Sequence, residues 1–129
     1  MKCRSIFFYY SFPAIIYCLV IFLISSTPLS IGTKVPNIDK LYHVIEYFIL
    51  SYLLWRAFVH MQHHLCVRYA AWYAVSLSIL YGFLDEIHQY FVPKRVASIA
   101  DVFFDAVGAA FAILCITIYL RYYNKKCDL

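Results

Sequence analysis

Residues 6–26 read IFFYYSFPAIIYCLVIFLISS and contain no Asp, Glu, Lys, Arg or His. As an α-helix this run extends about 30 Å, which is the thickness of the hydrocarbon core of a bilayer. A cleaved signal peptide is the competing interpretation, because Lys2 and Arg4 precede the run. The run is longer than a typical signal core, however, and no A-x-A-like cleavage site follows it. We therefore expect an uncleaved membrane-spanning helix.

Three further apolar runs approach the spanning length, at residues 41–59, 67–84 and 102–120. The whole chain is 64% hydrophobic and only 14% charged, whereas soluble domains carry about 25% charged residues. These features predict an all-α polytopic membrane protein, a bundle of four transmembrane helices that forms a single domain over residues 1–129. Its expected partner is the lipid bilayer, and nothing in the sequence indicates a nucleic-acid partner.

The distribution of Lys and Arg predicts the orientation. With four spans, one side holds seven such residues: Lys2, Arg4, Arg56, Arg68, Arg121, Lys125 and Lys126. The opposite side holds four: Lys34, Lys40, Lys94 and Arg95. Since the side richer in Lys and Arg faces the cytoplasm, we predict a multi-pass protein of the inner (cytoplasmic) membrane with both termini cytoplasmic. No cysteine lies on the predicted outer side, so no disulfide is expected.

Acidic residues collect toward the predicted outer side. Six of the seven lie there: Asp39, Glu46, Asp85, Glu86, Asp101 and Asp105. Three polar pairs have helical spacing, namely His43 with Glu46, Glu86 with Gln89, and Asp101 with Asp105. Each pair lies on one helix face, and the outward ends of three antiparallel spans lie side by side. The sequence therefore predicts that these pairs converge on one polar network.

Such a network offers two kinds of chemistry. Arg95 can bind a phosphate or carboxylate group, and the carboxylates can bind a divalent cation; spacing alone does not choose between them. The predicted ligand-binding residues are His43, Glu86, Gln89, Arg95, Asp101 and Asp105. The candidate catalytic residues are Glu46, Glu86 and Asp105. No metal-ligand set is assigned, the cofactor is left unknown, and whether the protein is an enzyme is left open.

Structural interpretations compete with these roles in the fourth run. Ser98 followed three residues later by Asp101 is a capping-box pattern, so Asp101 could serve only to begin a helix. Asp105 lies too deep for capping, and its alternative is a structural ion pair with Arg95 or Lys40.

The second and third runs have structural alternatives too. His43 could donate a hydrogen bond to Glu46 or to a backbone carbonyl. Glu86 and Gln89 could form an exposed helix end, although the residues around them are apolar. Outside this region, a histidine tract at 60, 63 and 64 is interpreted as a solvated loop, and the small residues Gly108 and Ala112 as helix-packing positions.

The order of these polar residues is similar to that of the VanZ-like family of small bacterial membrane proteins. The resemblance covers about residues 38–112. Its positions are Asp39, Lys40, His43, Glu46, Tyr47, Asp85 to Gln89, Pro93, Arg95, Ser98, Asp101, Asp105 and Gly108. The chain departs from the pattern at Lys94, where glycine often stands, and at Ala112, where a second glycine is common.

The resemblance implies a link to the cell envelope and to glycopeptide antibiotics, because the family is named after a member connected with resistance to teicoplanin. It implies no catalytic residue set. Three hypotheses follow. The favoured one is a protein that binds or protects a cell-envelope lipid or glycopeptide at the outer face of the membrane. The alternatives are a membrane-embedded, metal-assisted hydrolase or transferase acting on a lipid-linked substrate, and a structural membrane protein without a ligand.

Overall fold

The computed structural model describes residues 2–27 and 38–127, with side chains described at 8–27 and 38–126. Within these ranges the chain is all-helical, as the sequence predicted. The helices are α1 (Lys2–Ser25), α2 (Ile38–Val59), α3 (His64–Arg68), α4 (Ala70–Phe91) and α5 (Ile99–Cys127). Four of the five correspond to the predicted spans, and the short α3 is additional.

The helix that contains the third apolar run does not coincide with that run. The helix begins at Ala70 rather than at 67, because Tyr69 has φ −109° and ψ 19° and separates it from α3. It then continues to Phe91, seven residues beyond the end of the apolar run at Leu84, and includes Glu86 and Gln89, whose spacing is helical. An apolar run ends at the first acidic residue. A helix can continue beyond that point when its backbone groups and its polar side chains have hydrogen-bond partners. The acidic segment of α4 is therefore helical.

Helix α2 lies at the centre of the bundle and packs against α1, α4 and α5. Its closest approach is to α5, where a side chain at Gly108 would collide with the backbone of Val44. Ala109 and Ala112 of α5 are fully buried. These small residues serve helix packing, as predicted, because they allow two backbones to come together.

Polar side chains fill much of the interior while apolar side chains cover the exterior. The buried polar residues are Ser11, Ser25, Ser51, Ser78, Asp85, Glu86, Gln89 and Asp105. Exposed Phe, Leu and Ile side chains line the surfaces of α1, α4 and α5, where a water-soluble protein would carry charge. An apolar exterior of this extent fits a bilayer environment.

Two stretches among the described helices are both long and apolar enough to cross a membrane, Phe8–Ser25 in α1 and Ile99–Lys126 in α5. Helices α2 and α4 have 22 residues each, a length of about 33 Å, but they are less apolar because they carry the acidic residues. A membrane location is thus supported, whereas four crossings and the orientation of the termini stay predictions.

Candidate functional site

The start of α2, the end of α4 and the start of α5 meet at one end of the bundle, hereafter the polar end. At its centre, His43 Nδ1 lies 2.9 Å from Asp105 Oδ1, and His43 Nε2 lies 3.9 Å from Asp101 Oδ2. A carboxylate oxygen only accepts hydrogen bonds, so Nδ1 donates to Asp105. The ring of His43 is thus directed at α5 rather than at Glu46, the partner that its structural interpretation suggested.

Glu86 connects α4 to the start of α5. The backbone N–H of Ser98 donates to Glu86 Oε2 at 2.7 Å, and the hydroxyl of Ser98 accepts from the N–H of Ala100 at 3.2 Å. Ser98 is therefore a helix cap, as its sequence pattern suggested. In a capping box the third helical residue would bind the Ser98 N–H. Here Glu86 takes that position, and the carboxylate of Asp101 faces His43 instead.

Glu86 lies two residues beyond the predicted third span, in the continuation of α4. The exposed fraction of the residue is only 6%. Glu86 is thus an interior carboxyl group and not the exposed helix end of the structural interpretation.

Two buried carboxylate oxygens have no hydrogen-bond partner among the described residues: Oε1 of Glu86 and Oδ2 of Asp105. Such atoms are rare in folded proteins and call for an explanation. His43, Glu86 and Asp101 each offer one nitrogen or oxygen atom, and these three atoms lie within 4.8 Å of one another. The sequence named all three residues as ligand-binding candidates, but not as a metal-ligand set, because they come from three different helices.

A second polar contact lies on α4. Gln89 Nε2 donates to Asp85 Oδ2 at 2.8 Å across one helical turn. The sequence paired Gln89 with Glu86, which lies on the same face. The amide of Gln89 instead bonds to Asp85, while Glu86 accepts from the N–H of Ser98.

Arg95 binds the carboxyl end of α1. Its Nε donates to the carbonyl of Thr27 at 3.0 Å, and its Nη2 donates to the carbonyl of Ile24 at 2.6 Å. The last carbonyls of a helix lack intrahelical partners and carry partial negative charge, so a guanidinium is well suited to them. The proposed ion pair of Asp105 with Arg95 is not formed, since Asp105 bonds to His43.

The turn before Arg95 contains the one non-glycine residue with positive φ in the described ranges. Lys94 has φ 68°, in the left-handed region. Glycine adopts this conformation without steric cost, so glycine would fit this position better than lysine. Lys94 thus adopts a conformation that a side chain disfavours.

A cavity of about 650 Å³ opens beside these residues, between α1, α2, α4 and the loop after α4. Tyr17, Ile21 and Ile24 of α1 contribute to an apolar wall. The charged and polar part of the lining consists of Ser25, Asp39, His43, Glu46, Asp85, Gln89, Lys94, Arg95 and Asp101. The cavity is therefore amphipathic, with apolar and charged walls facing the same space.

Sequence reasoning missed Gly82 of α4. A Cβ at this position would lie 2.5 Å from Asp105 Oδ2, so the absence of a side chain makes room for the Asp105 carboxylate. The chain has only three glycines, and a glycine inside an apolar helix signals a close approach. The histidine tract contributes nothing to the polar end: His60 stacks on Tyr10 at 3.6 Å and donates to the carbonyl of Arg56.

Comparison with known proteins identifies the family. A family model described as VanZ/LLP1 matches residues 4–120, which include all of the polar end. The chain belongs to the VanZ/LLP1 family. The resemblance seen in the order of its polar residues is thereby confirmed. No curated protein and no solved structure gives a significant match.

Proposed function

We propose that this VanZ-like membrane protein binds or protects a cell-envelope lipid or glycopeptide at the outer face of the cytoplasmic membrane. The observation that carries the proposal is the amphipathic cavity at the polar end. Ligand sites are typically concave, with apolar walls and a few convergent polar groups. A molecule with a long apolar chain and a charged head group matches both kinds of wall.

The charge of the head group is proposed to be negative. Lys94 and Arg95 line the cavity together, and the two described hydrogen bonds of Arg95 use Nε and one hydrogen of Nη2. A guanidinium has five N–H donors, so Nη1 and the second hydrogen of Nη2 can still donate to a phosphate oxygen. In a partly apolar environment such charge-assisted hydrogen bonds are about twice as strong as neutral ones.

The test compares two lipids that differ only in charge, a long-chain polyprenyl phosphate and the corresponding polyprenol. Native mass spectrometry of the detergent-purified full chain should show about tenfold tighter binding of the phosphate, or about 1.4 kcal/mol. Arg95→Ala should abolish this preference. Arg95→Lys should reduce it, because an ammonium group lacks the planar fork that binds phosphate with two bonds.

Because Arg95 also binds the end of α1, a control must disturb that end without removing charge. Ser26→Ala serves this purpose, since the Ser26 hydroxyl lies 3.0 Å from His88 Nε2 of α4. If Ser26→Ala still prefers the phosphate lipid, the lost preference in Arg95→Ala is due to the arginine itself. Equal binding of both lipids by the wild type, or wild-type preference in both Arg95 variants, would refute anionic head-group recognition.

The link to glycopeptide resistance is tested separately. Expression in a teicoplanin-susceptible bacterium should raise the inhibitory concentration of teicoplanin, and Arg95→Ala at matched expression should not.

The same lipids recovered after incubation distinguish binding from hydrolysis or transfer. An unchanged lipid supports binding, whereas a cleaved or modified one supports the membrane-embedded enzyme.

A further inference from the structure

The polar end contains more carboxylate groups than its described hydrogen bonds satisfy. Glu86 Oε2 is used by the Ser98 N–H, whereas Glu86 Oε1 is buried without a hydrogen-bond partner among the described residues. An unpaired buried carboxylate oxygen is costly, because it has lost its hydration and gained nothing in return. A bound cation would satisfy it.

The donor atoms around Glu86 lie close to one another but not at the spacing of a formed metal site. In a tetrahedral zinc site with bonds of about 2.1 Å, neighbouring donors are about 3.4 Å apart. His43 Nε2 and Asp101 Oδ2 are 3.9 Å apart, and the whole group of His43, Glu86 and Asp101 lies within 4.8 Å. These separations are wider than those of a formed site, and side-chain rotation would have to bring the three donors closer together.

The hydrogen bond to Asp105 orients the ring of His43 for metal binding. Because Nδ1 donates to Asp105 at 2.9 Å, the ring nitrogen left to bind a metal is Nε2, which lies 3.9 Å from Asp101 Oδ2. Metal-ligating histidines commonly donate their other N–H to a carboxylate, which fixes the tautomer and the orientation of the ring. Asp105 is 1% exposed and lies against Gly82, so it holds the ring in a defined position.

We propose that His43, Glu86 and Asp101 bind one divalent transition-metal ion, with Asp105 as the positioning residue for His43. One imidazole and two carboxylates favour Zn²⁺ or Mn²⁺ over Mg²⁺ and Ca²⁺, which are usually bound by oxygen alone. Three protein ligands leave a coordination position free. Since His43 and Asp101 also line the cavity, a further ligand reaches the ion from there. This inference goes beyond the proposed ligand function and does not depend on it.

The test is metal binding by the full chain, stripped with EDTA in detergent and titrated separately with Zn²⁺, Mn²⁺ and Mg²⁺. Calorimetry should show one transition-metal ion per chain, and saturation should raise the melting temperature. Glu86→Gln and Asp101→Asn should lose this site. Asp105→Asn should keep it with affinity reduced by about 10- to 100-fold, as expected for a residue behind the ligand.

Asp39→Asn is the matched control, because Asp39 lines the same cavity but is outside the donor group. It should bind the metal as the wild type does. Absence of saturable binding to the wild type would overturn the proposal, as would equal binding by Asp39→Asn and Asp101→Asn.

The melting temperature of each metal-free variant shows whether it is folded. If Glu86→Gln unfolds because it loses its contact with Ser98, the test of the metal site rests on Asp101→Asn alone. Its carboxylate takes no part in the hydrogen bonds at the start of α5 that involve Ser98. Wild-type affinity in a folded Asp101→Asn protein would exclude this site.

Discussion

The interface between α2 and α5 has two adjoining stretches of opposite character. In the first, hereafter the close stretch, the backbones touch at Gly108 and Val44, and the Ser51 hydroxyl donates to the buried carbonyl of Ala109 at 3.1 Å. This stretch contains no charge. Its packing depends on the absence of side-chain atoms, as is common where membrane helices approach closely.

The second, hereafter the charged stretch, lies within about one helical turn of the first. His43 directly precedes Val44, and Asp105 lies three residues before Gly108. The position of the close backbone contact therefore sets the distance between the two charged-stretch side chains. Neutral packing thus fixes the register of the two helices, and the hydrogen bond of His43 to Asp105 depends on this register.

The most damaging test of this dependence is Gly108→Val. The new side chain collides with the backbone of Val44, which cannot rotate away, so α2 and α5 must separate. Overpacking of this kind costs about 3 kcal/mol or more when backbone must move. We expect a large fall in the melting temperature in detergent and loss of the His43–Asp105 contact, observed as a shifted histidine resonance by NMR. Ala110→Val, on an exposed position of the same helix, is the control and should melt near the wild type.

Much of this interface was predictable from the sequence, because its signals are local. The apolar runs predicted the four long helices, and small residues spaced at Gly108 and Ala112 predicted close packing. The closest partner of Gly108 was not predictable, since the backbone of Val44 belongs to another helix and carries no distinguishing side chain. The hydropathy signal stops at Asp85 and Glu86, but the helical spacing of Glu86 and Gln89 already indicated that the helix continues, as α4 does to Phe91.

The second test compares how much the charged stretch and the close stretch each contribute to the free energy of unfolding. A double-mutant cycle of His43→Ala and Asp105→Ala should give a coupling free energy of about 1.5–3 kcal/mol, as for hydrogen bonds to charged groups. Ser51→Ala removes the neutral hydrogen bond to Ala109 and should cost only about 1 kcal/mol. Both are measured as free energies of unfolding by denaturant in the same detergent. A coupling near zero would show that the proximity of His43 and Asp105 contributes nothing to stability.

The sequence indicated which polar residues lie near one another better than it indicated which of them form hydrogen bonds together. The sequence predicted that His43, Asp101 and Asp105 lie close together, because helical spacing places each side chain on a defined helix face. It paired His43 with Glu46 and Gln89 with Glu86, since only contacts within one helix can be inferred from spacing. The actual partners of His43 lie 58 and 62 residues away along the chain, at Asp101 and Asp105. Such contacts are set by packing between helices, for which one sequence gives no register.

The smallest expected effect concerns the loop that follows α4, outside both stretches. Lys94→Gly should stabilise the protein by about 0.5–1 kcal/mol, because glycine removes the steric cost of φ 68° but adds some entropy to the unfolded chain. Lys94→Ala is the matched control, since it removes the same ammonium group and keeps a Cβ. We expect a higher melting temperature for the glycine variant alone. If both variants gained equally, the gain would come from the lost charge beside Arg95. If instead the helix interface alone determined stability, neither variant would differ from the wild type, and the backbone conformation of this loop would carry no measurable cost.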